Sequence, residues 1–199
     1  WIIDMLIETN ARPDKVIPID NLDFYLCPKN ATNTIRYCQY LFNGGTKEIP
    51  DFRNEVTSTG AGLGYLLLHL VKGEVTYIPE RENSIKIAVV RDPVDRLTSA
   101  IRWINFKYNE NLTVESALSK SNEDIHLWPQ YMFYGEWSKK YDHIIYPEDI
   151  TSTIKKLTGK DLGDVHKGRN PYPKNLDITS EQTDKICKHY KKDIELGYA

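Results

Sequence analysis

The run Ile87-Ala88-Val89-Val90-Arg91-Asp92-Pro93 sets an apolar strand directly against a charged turn and the start of a helix, and few folds accommodate that junction. Ile87 to Val90 reads as a buried strand. Pro93 suits the first helical position, and Asp92 favours the positive end of the helix dipole. Leu97, Ala100, Ile101 and Ile104 then fall on one face of a helix running toward Tyr108. Arg91 is left at the carboxyl edge of the strand, where open α/β sheets bind their ligands. Ser99 lies eight positions beyond it, about two helical turns, so its hydroxyl is expected to face the same ligand.

A second junction has the same form. Leu22 to Cys27 is apolar, the loop Pro28-Lys29-Asn30-Ala31-Thr32-Asn33-Thr34 follows, and Ile35 to Phe42 is helix-like. Small side chains let backbone N–H groups turn onto an anion, Lys29 adds a point charge, and Thr32 or Thr34 can donate from the first helical turn. Lys29 precedes the small residues, so the spacing is not that of the G-x-x-x-x-G-K-[ST] loop of ordinary nucleotide triphosphatases.

The chain has 199 residues, 40% hydrophobic and 27% charged, which suits one domain with a real core and excludes disordered and fibrous classes. A net charge of −2 provides no global field for nucleic acid, so any anion site is local. Cys27, Cys38 and Cys187 have neither disulfide-framework nor zinc-site spacing, and Cys27 reads as a small buried hydrophobe. No metal site is expected. Trp1 to Glu8 is too short and interrupted to span a bilayer. A chain starting at Trp1 is expected to have been trimmed, which leaves an upstream anchor or signal open.

Strands alternating with helices imply a mainly parallel sheet covered on both faces, in a single domain over residues 1–199 with residues 1–20 as an N-terminal extension. Asn43 to Gly64 reads as mostly loop, Tyr65 to Val71 as a short apolar segment and Glu74 to Ile78 as a strand. Thr113 to Leu118 reads as a helix capped by Thr113, with Ser116 too short for a full capping box. His143 to Tyr146 reads as a short buried strand and Asp149 to Leu157 as a helix. A last helix is expected from about Ser180 to Lys192, with Ser180 as N-cap and Ile186 inward.

Pro28-Lys29-x-Ala31-x-x-Thr34 and Arg91-Asp92-Pro93-x-x-Arg96-x-x-Ser99 together resemble the 5′-phosphosulfate and 3′-phosphate motifs of PAPS-dependent sulfotransferases, notably the carbohydrate (Golgi-type) branch. His126-Leu127-Trp128-Pro129-Gln130, Tyr146-Pro147-Glu148-Asp149-Ile150 and Tyr190 to Tyr198 are similar to that branch in the same order, so the resemblance covers roughly residues 22 to 198. It implies a P-loop-like three-layer α/β fold, PAPS as sulfuryl donor with PAP as product, and a hydroxyl-bearing acceptor, here a carbohydrate. It implies phosphosulfate binding by residues 28 to 34, with Lys29 stabilising the leaving phosphate, and 3′-phosphate binding by Arg91 and Ser99. The alternative for Arg91 is a local ion pair with Asp92 or Asp95; Arg96 reads as a structural ion-pair residue outside the site.

Two histidines compete for the base. His69, 22 residues before Arg91, resembles in placement the catalytic histidine of uronyl 2-O-sulfotransferases, and His126 is the rival; His69 is favoured. Lys167 and Gly168, in His166-Lys167-Gly168-Arg169, are similar to the late basic loop that closes on the 3′-phosphate. Trp103, Trp128 and Tyr172 are candidates for stacking on adenine or sugar. Glu148-Asp149 is explained by a helix start without catalysis. Asn30-Ala31-Thr32 and Asn111-Leu112-Thr113 are glycosylation sequons, and a glycan inside the phosphate loop favours a bacterial or viral cytoplasmic enzyme over a Golgi-lumen one. Other readings are a P-loop-like kinase and a silent domain binding PAP or sulfated glycan.

Overall fold

A computed structural model describes residues 15–45, 78–135, 140–163, 165 and 176–197. Among these residues five strands form one sheet: β1 (Lys15–Ile19), β2 (Leu22–Tyr25), β3 (Ile78–Pro79), β4 (Ile85–Val89) and β5 (His143–Ile145), ordered β3-β1-β2-β4-β5. β1 pairs antiparallel with β2 and β3, whereas β2–β4 and β4–β5 are parallel. The fold is therefore mixed α/β. "Mainly parallel" describes the β2–β4–β5 half, and antiparallel pairing supplies the other half.

Register explains both faces. Ile17, Phe24 and Ile87 lie opposite one another across three strands, and so do Val16, Tyr25 and Ala88 one position along. Side chains alternate across a strand, so these two rows point to opposite sides. The first row packs with Ile35, Cys38 and Leu41 of α1 (Thr32–Phe42) and with Ile150 and Ile154 of α5 (Ile150–Thr158). The second packs with Ile125, Phe133 and Tyr134, the last two from the single turn α4 (Tyr131–Tyr134). A further apolar cluster joins α2 (Pro93–Tyr108) and α3 (Val114–Ser119) to Ile186 and Tyr190, at and just beyond α6 (Ser180–His189), with α7 (Lys191–Glu195) following.

Helix α2 starts as its sequence dictates: Pro93 takes the first position, and Asp92 accepts from the N–H groups of Val94 and Asp95 at 2.9 and 3.0 Å. Other starts differ from expectation. Ser116 completes a capping box after all, its hydroxyl accepting from Thr113 N–H at 2.8 Å, because a serine at this position reaches back as a longer acceptor would. Thr179, not Ser180, caps α6, in a box with Gln182, and the chain breaks into α7 after His189. Ile186 is buried as expected. β5 is an outer strand rather than a buried one, with Ile144 45% exposed. Part of the N-terminal extension belongs to the sheet: Val16, Ile17 and Ile19 of β1 are fully buried despite Pro18, the residue that argues against a strand on sequence grounds. The expected elements between Thr46 and Tyr77 lie outside the described residues.

One polar cluster closes the hairpin onto β4. Asp23 is fully buried in β2 and accepts from Arg81 N–H (2.9 Å), Arg81 Nε (2.8 Å) and Ser84 Oγ (2.7 Å), while the Arg81 guanidinium also donates to the carbonyls of Asp20 and Leu22. Removing the carboxylate strands several donors at once. Asp23→Ala is expected to cost about 2–4 kcal/mol in urea unfolding; a loss below about 0.5 kcal/mol, the range of ordinary surface substitutions, would show that this cluster does not hold the hairpin.

Candidate active site

Parallel pairing of β2 with β4 brings both carboxyl ends to one edge of the sheet. Val90 N–H donates to Ile145 O at 2.8 Å, so β5 ends there too. The chain leaves β2 through a turn closed by Asn30 N–H on Cys27 O (3.1 Å), with Pro28 second and Lys29 third at φ 69. That is the type II pattern, which normally takes glycine in the third position. Ala31, at φ 60, then starts α1 without a side-chain cap, so its first-turn amides are not committed to one. Two of the four non-glycine residues with positive φ among those described lie in this loop, so strain of about 1–2 kcal/mol per residue is concentrated there.

Three cations meet at this edge. The Arg91 guanidinium donates to Lys29 O (3.3 Å), joining motifs 62 residues apart. Arg96 is fully buried, 2% exposed, and donates from Nε to Pro28 O (3.2 Å) and from Nη2 to His126 O (3.5 Å). Arg96 is therefore structural, but through backbone carbonyls rather than the ion pair its sequence suggested. Burial, reinforced by Arg91 and Arg96 and opposed by Asp124, lowers the Lys29 ammonium to about 7. Burial also lowers Arg91, against the pull of Asp95 and of Glu148, which follows β5. Asp92 is occupied in capping α2, so the Arg91 side chain turns to the lysine loop rather than to that acid.

His126 stands behind Lys29. Its ring lies 4.1 Å from that of Trp103, and Lys29 Nζ sits 5.3 Å from the Trp103 ring centroid. Asp124 Oδ1 accepts from both the His126 N–H and Nδ1, each at 2.8 Å. This fixes the proton on Nδ1 in the neutral ring and leaves Nε2 as the basic nitrogen. Burial lowers His126 below the ordinary histidine value, with Lys29 and Lys107 adding to it and Asp124 opposing.

No family model, curated protein or solved structure matches the chain. Residue roles therefore rest on the chain's own geometry and motifs.

The structure gathers Pro28, Lys29, Ala31, Arg91 and His126, but it does not aim every expected residue at a ligand. Asn30 is 1% exposed and turned inward: its N–H serves the turn, and Nδ2 donates to Val89 O (2.8 Å) and Gln130 Oε1 (2.5 Å). It fixes the loop rather than lining it, and a glycan on Nδ2 would displace both bonds. Thr32 Oγ1 donates to Cys27 O (3.4 Å), Asn33 accepts from Arg36, and Thr34 lies partly buried in the first turn of α1. Ser99 is buried in α2, and no hydrogen bond among the described residues joins it to Arg91. Trp128 packs toward Phe133, with ring centroids 6.1 Å apart. His69, Lys167, Gly168 and Tyr172 lie outside the described residues. Sequence reasoning gave no role to Asp124, Gln130 or Asp193; the Asp-x-His spacing of residues 124 and 126 was one signal, and Gln130 and Asp193 lie in segments that carry the resemblance.

The His126 ring should titrate below 6.5 with Nε2 unprotonated in the neutral form, read by ¹H–¹⁵N spectra of the imidazole. Asp124→Asn should lower the midpoint further, because the carboxylate favours the charged ring. An unshifted midpoint in both proteins would refute this electrostatic picture.

Proposed function

We propose that this chain is a PAPS-dependent sulfotransferase that moves a sulfuryl group to an acceptor hydroxyl, with a carbohydrate as the acceptor and a P-loop-like arrangement of the β2–α1 loop. The observation that carries the reading is the convergence of Lys29, Arg91 and Arg96 at the carboxyl ends of two parallel strands, close enough that Arg91 and Arg96 lower the lysine's affinity for its proton. Cations held together this way favour a ligand with more than one negative charge.

In this reading the first-turn amides of α1 and Lys29 take the 5′-phosphosulfate, and Arg91 takes the 3′-phosphate. The acceptor oxygen attacks sulfur in line while the bond from sulfur to the bridging phosphate oxygen breaks. The acceptor proton passes to a base, and PAP departs with the bonding electrons. Lys29 stabilises the charge growing on the bridging oxygen, which is worth about 10²–10³ in rate for a well-placed donor. His126 is the base the geometry supports, since Asp124 leaves Nε2 free to accept; His69 is the other candidate. Ser99 and the loop containing Lys167 and Gly168 complete the 3′-phosphate contacts that the resemblance implies.

No helix among the described residues is long and apolar enough to cross a membrane. The absence of net positive charge leaves nucleic acid without a general attraction, and the proposed setting is bacterial or viral cytoplasm, with the Golgi lumen as the alternative.

Calorimetry with PAP, ADP and ATP with magnesium tests the reading. PAP should bind in the micromolar range and about 10–100-fold more tightly than ADP, the worth of charge-assisted bonds to one phosphate. Arg91→Ala should erase that preference while leaving ADP binding largely intact. Equal binding of PAP and ADP, or preference for ATP with magnesium, would overturn it in favour of a kinase.

A further inference from the structure

The Gln130 side chain is fully buried and, among the described residues, makes three hydrogen bonds at the meeting point of the two anion loops. Its Oε1 accepts from Arg91 N–H (3.0 Å) and from Asn30 Nδ2 (2.5 Å), and its Nε2 donates to Arg91 O (2.8 Å). Arg91 is the residue just past the end of the β4–β5 ladder, whose last bond is Val90 N–H to Ile145 O. There the backbone needs a new partner for both its polar groups. A single carboxamide supplies it, pairing with the Arg91 peptide as a neighbouring strand would.

The same oxygen holds Asn30, whose Nδ2 also donates to Val89 O, so the lysine loop and the arginine turn are tied to one atom. Gln130 is itself anchored. Asp193, 1% exposed in α7, accepts from Gln130 N–H (2.8 Å) and Tyr131 N–H (2.9 Å) through its two carboxylate oxygens. By contrast, the Arg91 side chain has one long bond among the described residues, to Lys29 O at 3.3 Å. The guanidinium is therefore aimed mainly by the backbone that carries it, and Gln130 sets that backbone.

We propose that Gln130 is a positioning residue that fixes Arg91 against the lysine loop, and so sets the enzyme's preference for a nucleotide bearing a 3′-phosphate. This rests on the sulfotransferase reading. Asp193 extends the same control to the last described helix, since its carboxylate holds the backbone from which Gln130 reaches both loops.

Gln130→Met keeps the length of the side chain and removes its bonds to Arg91 and Asn30. Its preference for PAP over ADP should fall about tenfold, the worth of one to two hydrogen bonds. Gln130→Glu, which retains the acceptor oxygen but loses the donor to Arg91 O, should fall between it and the unaltered protein. Adding Gln130→Met to Arg91→Ala should change the PAP:ADP ratio no further, because the glutamine acts through the arginine. A merely structural glutamine would instead lower thermal stability while leaving the ratio intact in the single variant, and that result overturns the proposal.

Amide hydrogen exchange separates the two levels of failure. Loss of protection at the Arg91 amide in Gln130→Met, without ligand, establishes the clasp; unaltered protein that binds PAP and ADP equally then overturns the sulfotransferase reading and the ligand role with it. Unchanged protection at Arg91 overturns the clasp alone. Should Gln130→Met fail to fold, Asp193→Asn carries the same measurements, with a smaller fall in the ratio expected and an unchanged ratio contradicting the proposal.

Discussion

The parallel pairing of Leu22–Tyr25 with Ile85–Val89 is the constraint on which the rest of the molecule depends. Parallel neighbours end at the same edge, so the loops after them must share space there. Had the strands been antiparallel, Lys29 and Arg91 would have emerged at opposite ends of the sheet. The pairing also fixes which face each side chain takes: Phe24 and Ile87 go toward α1 and α5, Tyr25 and Ala88 toward Ile125, Phe133 and Tyr134. A one-residue slip would reverse both rows and leave apolar side chains on the wrong side of every strand.

Convergence imposes an electrostatic cost that a ligand would relieve. Lys29 and Arg91 are partly buried and Arg96 fully so; Asp124 opposes the shift on Lys29 and Asp95 and Glu148 the shift on Arg91, while Asp92 is taken up in capping α2 and Asp193 in holding the backbone at Gln130. Asp193 shows the same tension from the other side, its carboxyl held above the usual range by burial despite accepting two N–H bonds and lying near Arg96. The buried thiol of Cys27, pushed up to about 11 by burial, fits the small hydrophobe its sequence context suggested. In the proposed reaction the chemistry would fall to Lys29 and a histidine base, His126 or His69.

Local junctions were legible in the sequence because each is carried by neighbours along the chain. The α2 start needs only Asp92-Pro93, and its extent to Tyr108 follows from the apolar spacing of Leu97, Ala100, Ile101 and Ile104. The positions of Lys29 and Arg91 at strand ends were likewise local facts. What escaped was set by long-range contact. β1 was obscured by Pro18, whose missing N–H counts against a strand although sheet burial on both sides of β1 outweighs it. Asn30 looked like a ligand contact because its inward turn depends on Val89 and on Gln130, a hundred positions away. Asp193 lies 63 positions from Gln130, and the Tyr190–Tyr198 segment that contains it does not reveal that contact.

The Lys29 ammonium reports on all of this at once, because its proton affinity depends on burial and on both arginines. Its Nζ midpoint, followed by NMR of selectively labelled lysine before and after saturation with PAP, is the most direct test of a shared anion site. A midpoint near 7 in the free protein, climbing toward the ordinary lysine value of about 10.4 when PAP binds, is the expected result. A midpoint already near the ordinary value in the free protein, or one near 7 that PAP leaves unmoved, would contradict it.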